Sequence, residues 1–292
     1  MTARRTCLPF VLLLPALVGL AACGSETVDA TDTTAAAGGI SYPPAGNQAV
    51  VRLTQGGGFV PEGADFRTPA ELVIEGDGST FRPGAQIEIY PAPLLPAVTV
   101  ATLDQEGIEI VLQAAEQAGL LAPPPDYDGG ATALVADAPT TTLEIQANGE
   151  TFTHQAYALG FEPDTGQQSS ASEARSNLND FVNQLRDLPS MVGDHLGPDE
   201  VYEPERFGVI ARPATAEELA PTEDQITPTV VAWPADAPPL ASMSACTEVP
   251  AADVAGVFAD ANQLTRFSQD DATYVVFVRV LTPDESCASL AA

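Results

Sequence analysis

The chain of 292 residues carries 40 acidic side chains against 11 basic ones, a formal net charge of −29, and every basic residue is an arginine. Nucleic acids and anionic lipids are excluded as partners, because binding either requires basic counter-charge. The absence of lysine also excludes Schiff-base catalysis and a phosphate-binding lysine. Hydrophobic residues make up 45% of the chain, which argues against disorder throughout.

Residues 1–22 have the layout of a bacterial signal peptide. The pair Arg4-Arg5 supplies the only charges, and an apolar stretch follows over residues 8–20. That stretch is too short for a stable transmembrane span. The quartet Leu20-Ala21-Ala22-Cys23 resembles the lipobox of bacterial lipoproteins, whose cysteine is acylated and becomes the first residue of the mature chain. The alternative is an ordinary secretory signal in which Cys23 is incidental.

We therefore expect the protein to be anchored by a lipid on Cys23 to the extracytoplasmic face of the cell membrane. Residues 23–47 are then a flexible tether, since they are small, polar or acidic and show no periodicity. The export route stays open between Sec and twin-arginine, because the arginine pair fits the second route but the residues after it fit poorly.

Two of the four cysteines are expected to form a disulfide. Cys7 leaves with the signal peptide and Cys23 carries the lipid, which leaves Cys246 and Cys287 in an oxidising compartment. Closing their loop of 41 residues stabilises the fold by about 3–4 kcal/mol. A redox pair or half of a metal site are the alternatives, but the chain has no Cys-x-x-Cys and no histidine near either cysteine in sequence.

The N-terminal half of the folded part alternates between β-prone runs and turn residues. Two turns of the hairpin type, Gly76-Asp77-Gly78 and Asn148-Gly149, each lie between two such runs. Strands are predicted at 49–53, 71–75, 79–82, 86–90, 97–101, 140–146 and 150–159.

Three amphipathic helices are predicted from apolar side chains at helical spacing. The first follows the capping pattern Thr102-Leu103-Asp104-Gln105 and ends at Gly119, the second is capped by residues 170–173 and ends at Pro189, and the third begins near Pro250. Strands are predicted in the C-terminal half at 207–211, 229–233 and 273–281. The last of these is continuously apolar, which indicates a central strand.

Hairpins outnumber crossover units, which predicts an α+β fold with mainly antiparallel sheets and the three helices packed on one side. The expected division is a signal peptide at 1–22, the lipidated cysteine and tether at 23–47, an N-terminal module at 48–189 and a C-terminal module with the disulfide at 190–292. Both modules run strands, helix, strand, so a diverged repeat remains an open alternative.

The two histidines give no catalytic signature. His154 shares one side of a predicted strand with Phe152, so we expect it to be partly buried and hydrogen-bonded. His195 is expected in a solvent-facing loop. The chain has no Gly-x-Ser-x-Gly, P-loop, Rossmann or zinc motif, and no cofactor is expected. Acidic residues are too numerous for a catalytic carboxylate pair to be identified.

One acidic stretch is a candidate calcium site. Asp126 and Asp128 alternate around Tyr127 before two glycines, and Asp137 follows further along the chain. Oxygen ligands on a glycine-containing loop suit this cation. The stretch departs from the EF-hand pattern, because Ala131 stands where glycine is required. The alternative is a solvated acidic loop.

Six short segments together resemble a group of uncharacterised secreted or lipid-anchored proteins of high-G+C Gram-positive bacteria. The segments are Gly57-Gly58-Phe59-Val60-Pro61, Gly76-Asp77-Gly78, Ile87-Glu88-Ile89-Tyr90-Pro91, Ala136-Asp137-Ala138-Pro139-Thr140-Thr141, Tyr157-Ala158-Leu159-Gly160 and Leu281-Thr282-Pro283-Asp284-Glu285-Ser286-Cys287. The resemblance spans most of the mature chain. It implies the same compartment and carries no activity.

The sequence leads to three functional hypotheses. The first is a membrane-anchored, non-enzymatic lipoprotein that binds or supports a component of the cell envelope. The second is an extracytoplasmic hydrolase that uses carboxylates or a loop histidine. The third is a receptor for a small ligand or calcium. The sequence indicates one partner, the membrane, which the lipid on Cys23 would reach. The sequence identifies no protein or small-molecule partner.

Overall fold

The computed structural model describes residues 39–127, 136–161 and 170–291. The predicted signal peptide, Cys23 and the tether up to residue 38 lie outside the described residues. The rest of the predicted tether, residues 39–47, is part of the folded structure, because Ile40 and Tyr42 are buried in a hydrophobic core. By contacts along the chain, residues 32–292 form one unit. The fold is α+β with two mainly antiparallel sheets, as the sequence predicted.

The larger sheet has seven strands, and all neighbours in it run antiparallel. Its order is β6-β5-β1-β2-β3-β4-β7. The strands are β1 Ala49–Gly56, β2 Leu72–Glu75, β3 Ser79–Pro83, β4 Val98–Thr102, β5 Thr140–Ala147, β6 Glu150–Tyr157 and β7 Glu200–Val201. Both predicted hairpins are confirmed, because β2 pairs with β3 across Gly76-Asp77-Gly78 and β5 pairs with β6 across Asn148-Gly149.

The smaller sheet has five strands in the order β10-β8-β12-β11-β9. Its strands are β8 Arg206–Pro213, β9 Val230–Ala232, β10 Thr247–Pro250, β11 Arg266–Gln269 and β12 Ala272–Val280. Only the β11–β9 pair is parallel. The apolar strand β12 occupies the centre of this sheet, which confirms its predicted position.

The helices are α1 Ala64–Arg67, α2 Gln105–Gln117, α3 Ser170–Arg186, α4 Leu188–Val192 and α5 Ala251–Ala259. The three predicted helices correspond to α2, α3 and α5. The N-cap of α2 is Asp104 rather than Thr102, and its carboxylate accepts a hydrogen bond of 2.9 Å from the Gly107 amide. The second predicted helix, α3, ends at Arg186 rather than at Pro189. Pro189 lies in the first turn of α4, where proline is tolerated.

The predicted strand at 86–90 is wrong. The β3–β4 ladder ends at the pair Pro83 and Val98, and residues 84–97 form an irregular loop. Ile87, Ile89 and Tyr90 are exposed there. Their alternation is typical of a strand, but no neighbouring strand pairs with them, and pairing is decided by residues far away in sequence.

Two hydrophobic cores cover the two faces of the seven-stranded sheet. The first lies between Leu53, Ile74 and Ile145 on one face and the helices α2, α3 and α4. The second lies between Val73 and Phe81 on the other face and the five-stranded sheet with α5. The three predicted helices therefore do not all pack on one side, because α5 packs against the smaller sheet. The smaller sheet covers β2, β3 and β4 on this second face. The polar side chains of β1, β5 and β6 on the same face lie next to the smaller sheet rather than beneath it.

The two ends of the seven-stranded sheet differ. The described chain enters at the end that holds the β2–β3 and β5–β6 turns, where Ser41 and the turn residue Asn148 exchange backbone and side-chain hydrogen bonds. We call this the near end. The opposite end, the far end, holds the loops that follow β1, β3 and β6. Strands of eight residues separate the two ends by about 25 Å.

The predicted disulfide is confirmed. Cys246 and Cys287 are bonded, and their Cα atoms are 5.4 Å apart. The bond joins the residue before β10 to the segment after β12. It therefore holds the C-terminal segment, residues 281–291, against the smaller sheet.

Candidate functional site

His154 is a structural residue inside the first core. It is fully buried, its Nε2 donates a hydrogen bond of 2.8 Å to the carbonyl of Leu120, and its Nδ1 accepts one of 2.6 Å from the hydroxyl of Tyr127. A carbonyl only accepts, which fixes this neutral tautomer. Burial lowers the pKa of His154 although the Leu120 carbonyl opposes the shift, and burial raises the pKa of Tyr127 to about 12. The expected hydrogen bonds are confirmed, but His154 is completely rather than partly buried.

His195 lies in a short 3₁₀ turn, Gly193–His195, before β7. Its Nδ1 is 3.0 Å from a carboxylate oxygen of Asp104, the N-cap of α2. The hydrogen bond with Asp104 raises the pKa of His195, and the hydrogen bond from the Gly107 amide, followed by that with His195, lowers the pKa of Asp104. Asp104 is exposed and His195 is half-buried, and the pair lines neither of the two grooves described below. Asp104 caps α2, and His195 binds the capping carboxylate.

The candidate calcium residues are only partly described. Asp128 lies outside the described residues, so the geometry of the three aspartates is not tested. Tyr127 between them points into the first core, and Asp137 is exposed with φ of 57°. Within the ranges that the structure describes, no group of three or more histidine, cysteine or acidic residues could hold a metal ion.

A polar cleft of 760 Å³ lies between the seven-stranded sheet and the C-terminal segment. Alternation along the strands turns Leu53, Leu143 and Ile145 into the first core and leaves polar side chains on the other face. Those side chains form the floor: Arg52, Thr54, Thr140, Thr142, Glu144, Gln146 and Thr151. The floor is therefore rich in hydroxyl and amide groups.

One wall of the cleft is an ion network between the two sheets. Arg52 of β1 pairs with Asp284 and, at 3.0 Å, with Glu285. Arg279 of β12 pairs with the same Glu285 carboxylate at 2.6 Å and donates a hydrogen bond of 2.6 Å to the Thr68 carbonyl. Two guanidinium groups thus share one buried carboxylate, and this sharing fixes the position of the C-terminal segment.

Glu75 lies behind that wall at the end of β2. It is fully buried, Oε1 accepts a hydrogen bond of 3.1 Å from the Asp284 amide, and Oε2 has no hydrogen-bond partner. Burial, reinforced by the charge of Asp77 and opposed by Arg52, raises the pKa of Glu75 to about 8. Glu75 is therefore mostly protonated and neutral at pH 7. It adds no third negative charge to those of Asp284 and Glu285 in the wall.

Acidic side chains outnumber basic ones among the described residues that line the cleft. Among the described residues, four carboxylates line it, those of Asp65, Glu144, Asp284 and Glu285, together with the guanidinium groups of Arg52 and Arg279. Both arginines are occupied by the carboxylates of the wall. Glu144 lies opposite Arg52 in the β1–β5 ladder, yet it forms no ion pair with any described residue. The cleft therefore repels anions and offers hydrogen bonds to uncharged or cationic groups.

A second groove of 740 Å³ lies between α2, α3 and α4. Its lining is Ile110, Gln113, Ala114, Gln117, Asp180, Asn183, Gln184, Asp187, Ser190 and Met191. It combines a narrow apolar strip with amide and carboxylate side chains. Unlike the cleft, it has no arginine among its described lining residues, all of which come from the helices α2, α3 and α4 or the residue that links α3 to α4.

Comparisons with known proteins found no matching family model, no matching curated protein and no matching solved structure. Across the described ranges, no helix has both the length and the apolar character that crossing a bilayer requires.

Sequence reasoning did not identify the cleft. Its floor and wall come from β1, β5, β12 and the C-terminal segment, which are far apart in the chain. The available signal was the polar alternation Thr140, Thr142, Glu144 and Gln146 in a strand whose other face is apolar. That pattern predicts a half-buried strand, but it does not say what lies across from the polar face.

Proposed function

We propose that the chain is a lipid-anchored, extracytoplasmic binding protein that holds a polar, uncharged or cationic ligand in the cleft between its two sheets. The observation that carries this proposal is the cleft itself. It has the volume of a small-molecule site, and its floor presents hydroxyl and amide groups from three adjacent strands.

The compartment is supported by two independent features. The order of charge, apolar stretch, small residues and Cys23 is that of a lipoprotein signal. The disulfide between Cys246 and Cys287 suits an oxidising compartment outside the cytoplasm. A chain with 40 acidic residues and no lysine also suits a protein that is held near a membrane by a lipid rather than by electrostatic attraction.

A binding role is favoured over catalysis by the state of the charged groups. Arg52, Arg279, Asp284 and Glu285 are engaged with one another, so they build the wall rather than face the cleft as free acids and bases. Neither histidine is among the residues that line the cleft. The remaining lining groups are mostly threonine hydroxyls and side-chain amides, which bind and orient a ligand through hydrogen bonds.

The anchor is tested by the intact mass of the protein purified from native membranes, compared with a Cys23→Ala variant. A diacylglyceryl mass on a chain that begins at Cys23, and release of the variant to the medium, are expected. A chain that is cut elsewhere and carries no lipid would refute the anchor. Additional mass that survives native conditions and is lost on unfolding would identify a bound ligand directly.

Ligand binding is tested by calorimetry with three probes: a neutral oligosaccharide, a linear polyamine and inorganic phosphate. We expect the oligosaccharide or the polyamine to bind and phosphate not to bind. Thr142→Val removes one hydroxyl from the floor at nearly constant volume and should weaken binding about tenfold, equivalent to one hydrogen bond. Thr153→Val, on the same sheet face but outside the cleft lining, is the matched control.

Glu144→Gln separates the two ligand classes. It should weaken the polyamine strongly and the oligosaccharide little, because it removes a charge and keeps a hydrogen-bonding group. Tight binding of phosphate, or an equal loss of affinity in Thr153→Val, would contradict the assignment of the site to this cleft.

A further inference from the structure

The far end of the seven-stranded sheet presents large apolar side chains to solvent. Nine large hydrophobic residues are exposed among those described, and six of them lie in the loops at this end. The six are Phe59, Val60, Ile87, Ile89, Tyr90 and Phe161. Single exposed apolar residues are common on protein surfaces, but a concentration of them marks an interaction site. We call these six residues the apolar tip.

Phe59 and Phe161 are held outward by turns. The φ angles of Gly57 and Gly58 are 80° and 82°, so the chain leaves β1 through two left-handed residues and Phe59 is 92% exposed. After β6, the amide of Phe161 donates a hydrogen bond of 3.1 Å to the carbonyl of Ala158 and closes a tight turn. Both phenyl rings thus project from ordered backbone.

Hydrogen bonds anchor the β3–β4 loop at both of its ends, and its middle is exposed to solvent. The amide of Gly84 donates to the carbonyl of Ala97 at 2.9 Å, and the amide of Leu94 donates to the carbonyl of Ala261 at 3.0 Å. Leu94 itself is buried in the second core. Residues 86–90 between these anchors remain exposed. A partner would therefore meet a surface that is already ordered, which lowers the entropy cost of binding.

The apolar tip has the width of a protein interface. It extends over the strand ends from β6 to the β3–β4 loop, which is about 20–24 Å at the spacing of sheet strands. A stable interface covers about 800 Å² on each partner, a patch of comparable width. Ser41, close to the first described residue, lies at the near end, on the opposite side of the sheet from the apolar tip.

We propose that the apolar tip docks a second protein, whose contacting surface is apolar at its centre and basic at its rim. Charge decides between the candidate occupants. A second copy of this chain brings another net charge of −29, and an anionic lipid surface repels the same acidic protein. Glu88 lies between Ile87 and Ile89 and forms no ion pair among the described residues. A basic rim complements that charge.

Photo-crosslinking in intact cells tests the docking. A photoreactive residue replaces Phe59 or Ile87 in one pair of variants, and Glu150 at the near end in the control. We expect one discrete adduct from the first pair and none from the control. The adduct is identified by mass, and the partner is then purified and titrated with the unmodified protein.

The titration decides the proposal. The double variant Ile87→Ser, Ile89→Ser should raise the dissociation constant at least about tenfold, as loss of two anchor residues does. Leu219→Ser, an exposed residue of the smaller sheet region, should leave it unchanged. Raising NaCl from about 0.05 to about 0.5 M should slow association, because it screens the basic rim.

Four outcomes would overturn the proposal. They are the absence of an adduct, an adduct of twice the mass of this chain, an adduct with lipid, and a purified partner whose affinity is the same for the double variant and the Leu219→Ser control. Melting curves of the variants check that the fold is intact, since all the replaced side chains are exposed.

Discussion

Arg52 and Glu285 are 233 positions apart in the chain, and their side chains form an ion pair of 3.0 Å that joins the two sheets. Burial raises the pKa of Glu285, but the hydrogen bonds and charge of Arg279 and the charge of Arg52 outweigh it, so the net shift is downward. The carboxylate is therefore ionised at neutral pH. The wall of the cleft and the contact between the sheets depend on the same group.

Removing this carboxylate should destabilise the protein strongly. Glu285→Ala leaves the buried Arg279 without its carboxylate, and breaking such a pair costs about 3–5 kcal/mol. Urea unfolding at pH 7 measures the loss. Glu71→Ala is the matched control, because it breaks a more exposed pair with Arg186 and should cost no more than about 1 kcal/mol. Equal losses in the two variants would show that the network does not join the sheets.

Glu75→Gln should stabilise the protein increasingly as pH rises. In the unfolded chain this carboxyl ionises near its ordinary pKa of 4.5, whereas burial holds the folded value at about 8. The folded wild type therefore loses stability between about pH 4.5 and 8, since only the unfolded state releases the proton there. Glutamine does not ionise. Melting temperatures from pH 5 to 9 should diverge, with Glu88→Gln as an exposed control; a constant difference would contradict the raised pKa.

Local signals account for most of the fold that the sequence predicted. The turns Gly76-Asp77-Gly78 and Asn148-Gly149 and the stripes of α2, α3 and α5 depend on residues that are close in the chain. The strands β7, β10 and β11 were not predicted, because they lack the run of apolar and β-branched residues that indicated the equally short β2 and β9. The strand at 86–90 was predicted and is absent, because no partner strand is within reach.

The sites show the same division. The disulfide was predicted by elimination, since the sequence interpretation assigned two of the four cysteines to other roles. The cleft did not, because Arg52, Glu144 and Glu285 meet only when the two sheets dock. Glu75 looked like any residue before a hairpin turn, and only the fold shows that it is completely buried.

Tyr127→Phe should destabilise the first core without changing its shape. The variant removes the hydroxyl that donates to Nδ1 of His154 and leaves that buried nitrogen without a partner. Such a group costs about 1–3 kcal/mol. Tyr274→Phe is the control, because the Tyr274 hydroxyl forms no hydrogen bond with a described residue. If chemical denaturation gave the same stability for both variants, the Tyr127–His154 bond would not contribute to folding.

The disulfide should stabilise the C-terminal segment more than the helical side of the molecule. Replacing Cys246 and Cys287 together by serine should lower the free energy of unfolding by about 3–4 kcal/mol. Hydrogen exchange should accelerate first in residues 281–291 and β10, and less in α2 and α3. Uniform acceleration would indicate that the bond limits global unfolding only, and unchanged exchange would show that the ion network alone holds the segment.

Salt should stabilise the protein. A net charge of −29 makes the folded state repel itself, and counter-ions screen that repulsion over about 10 Å at 0.1 M. Salt also weakens exposed ion pairs, but these contribute little, whereas Arg279 and Glu285 are shielded by burial. The melting temperature should rise by several degrees between low and molar NaCl, since about 1 kcal/mol corresponds to roughly 2–4 °C in a chain of this size.

Sucrose at matched osmolality is the control, because it separates the screening of charges from the exclusion of solute from the protein surface. A melting temperature that is flat or falls with NaCl would show that self-repulsion does not limit stability.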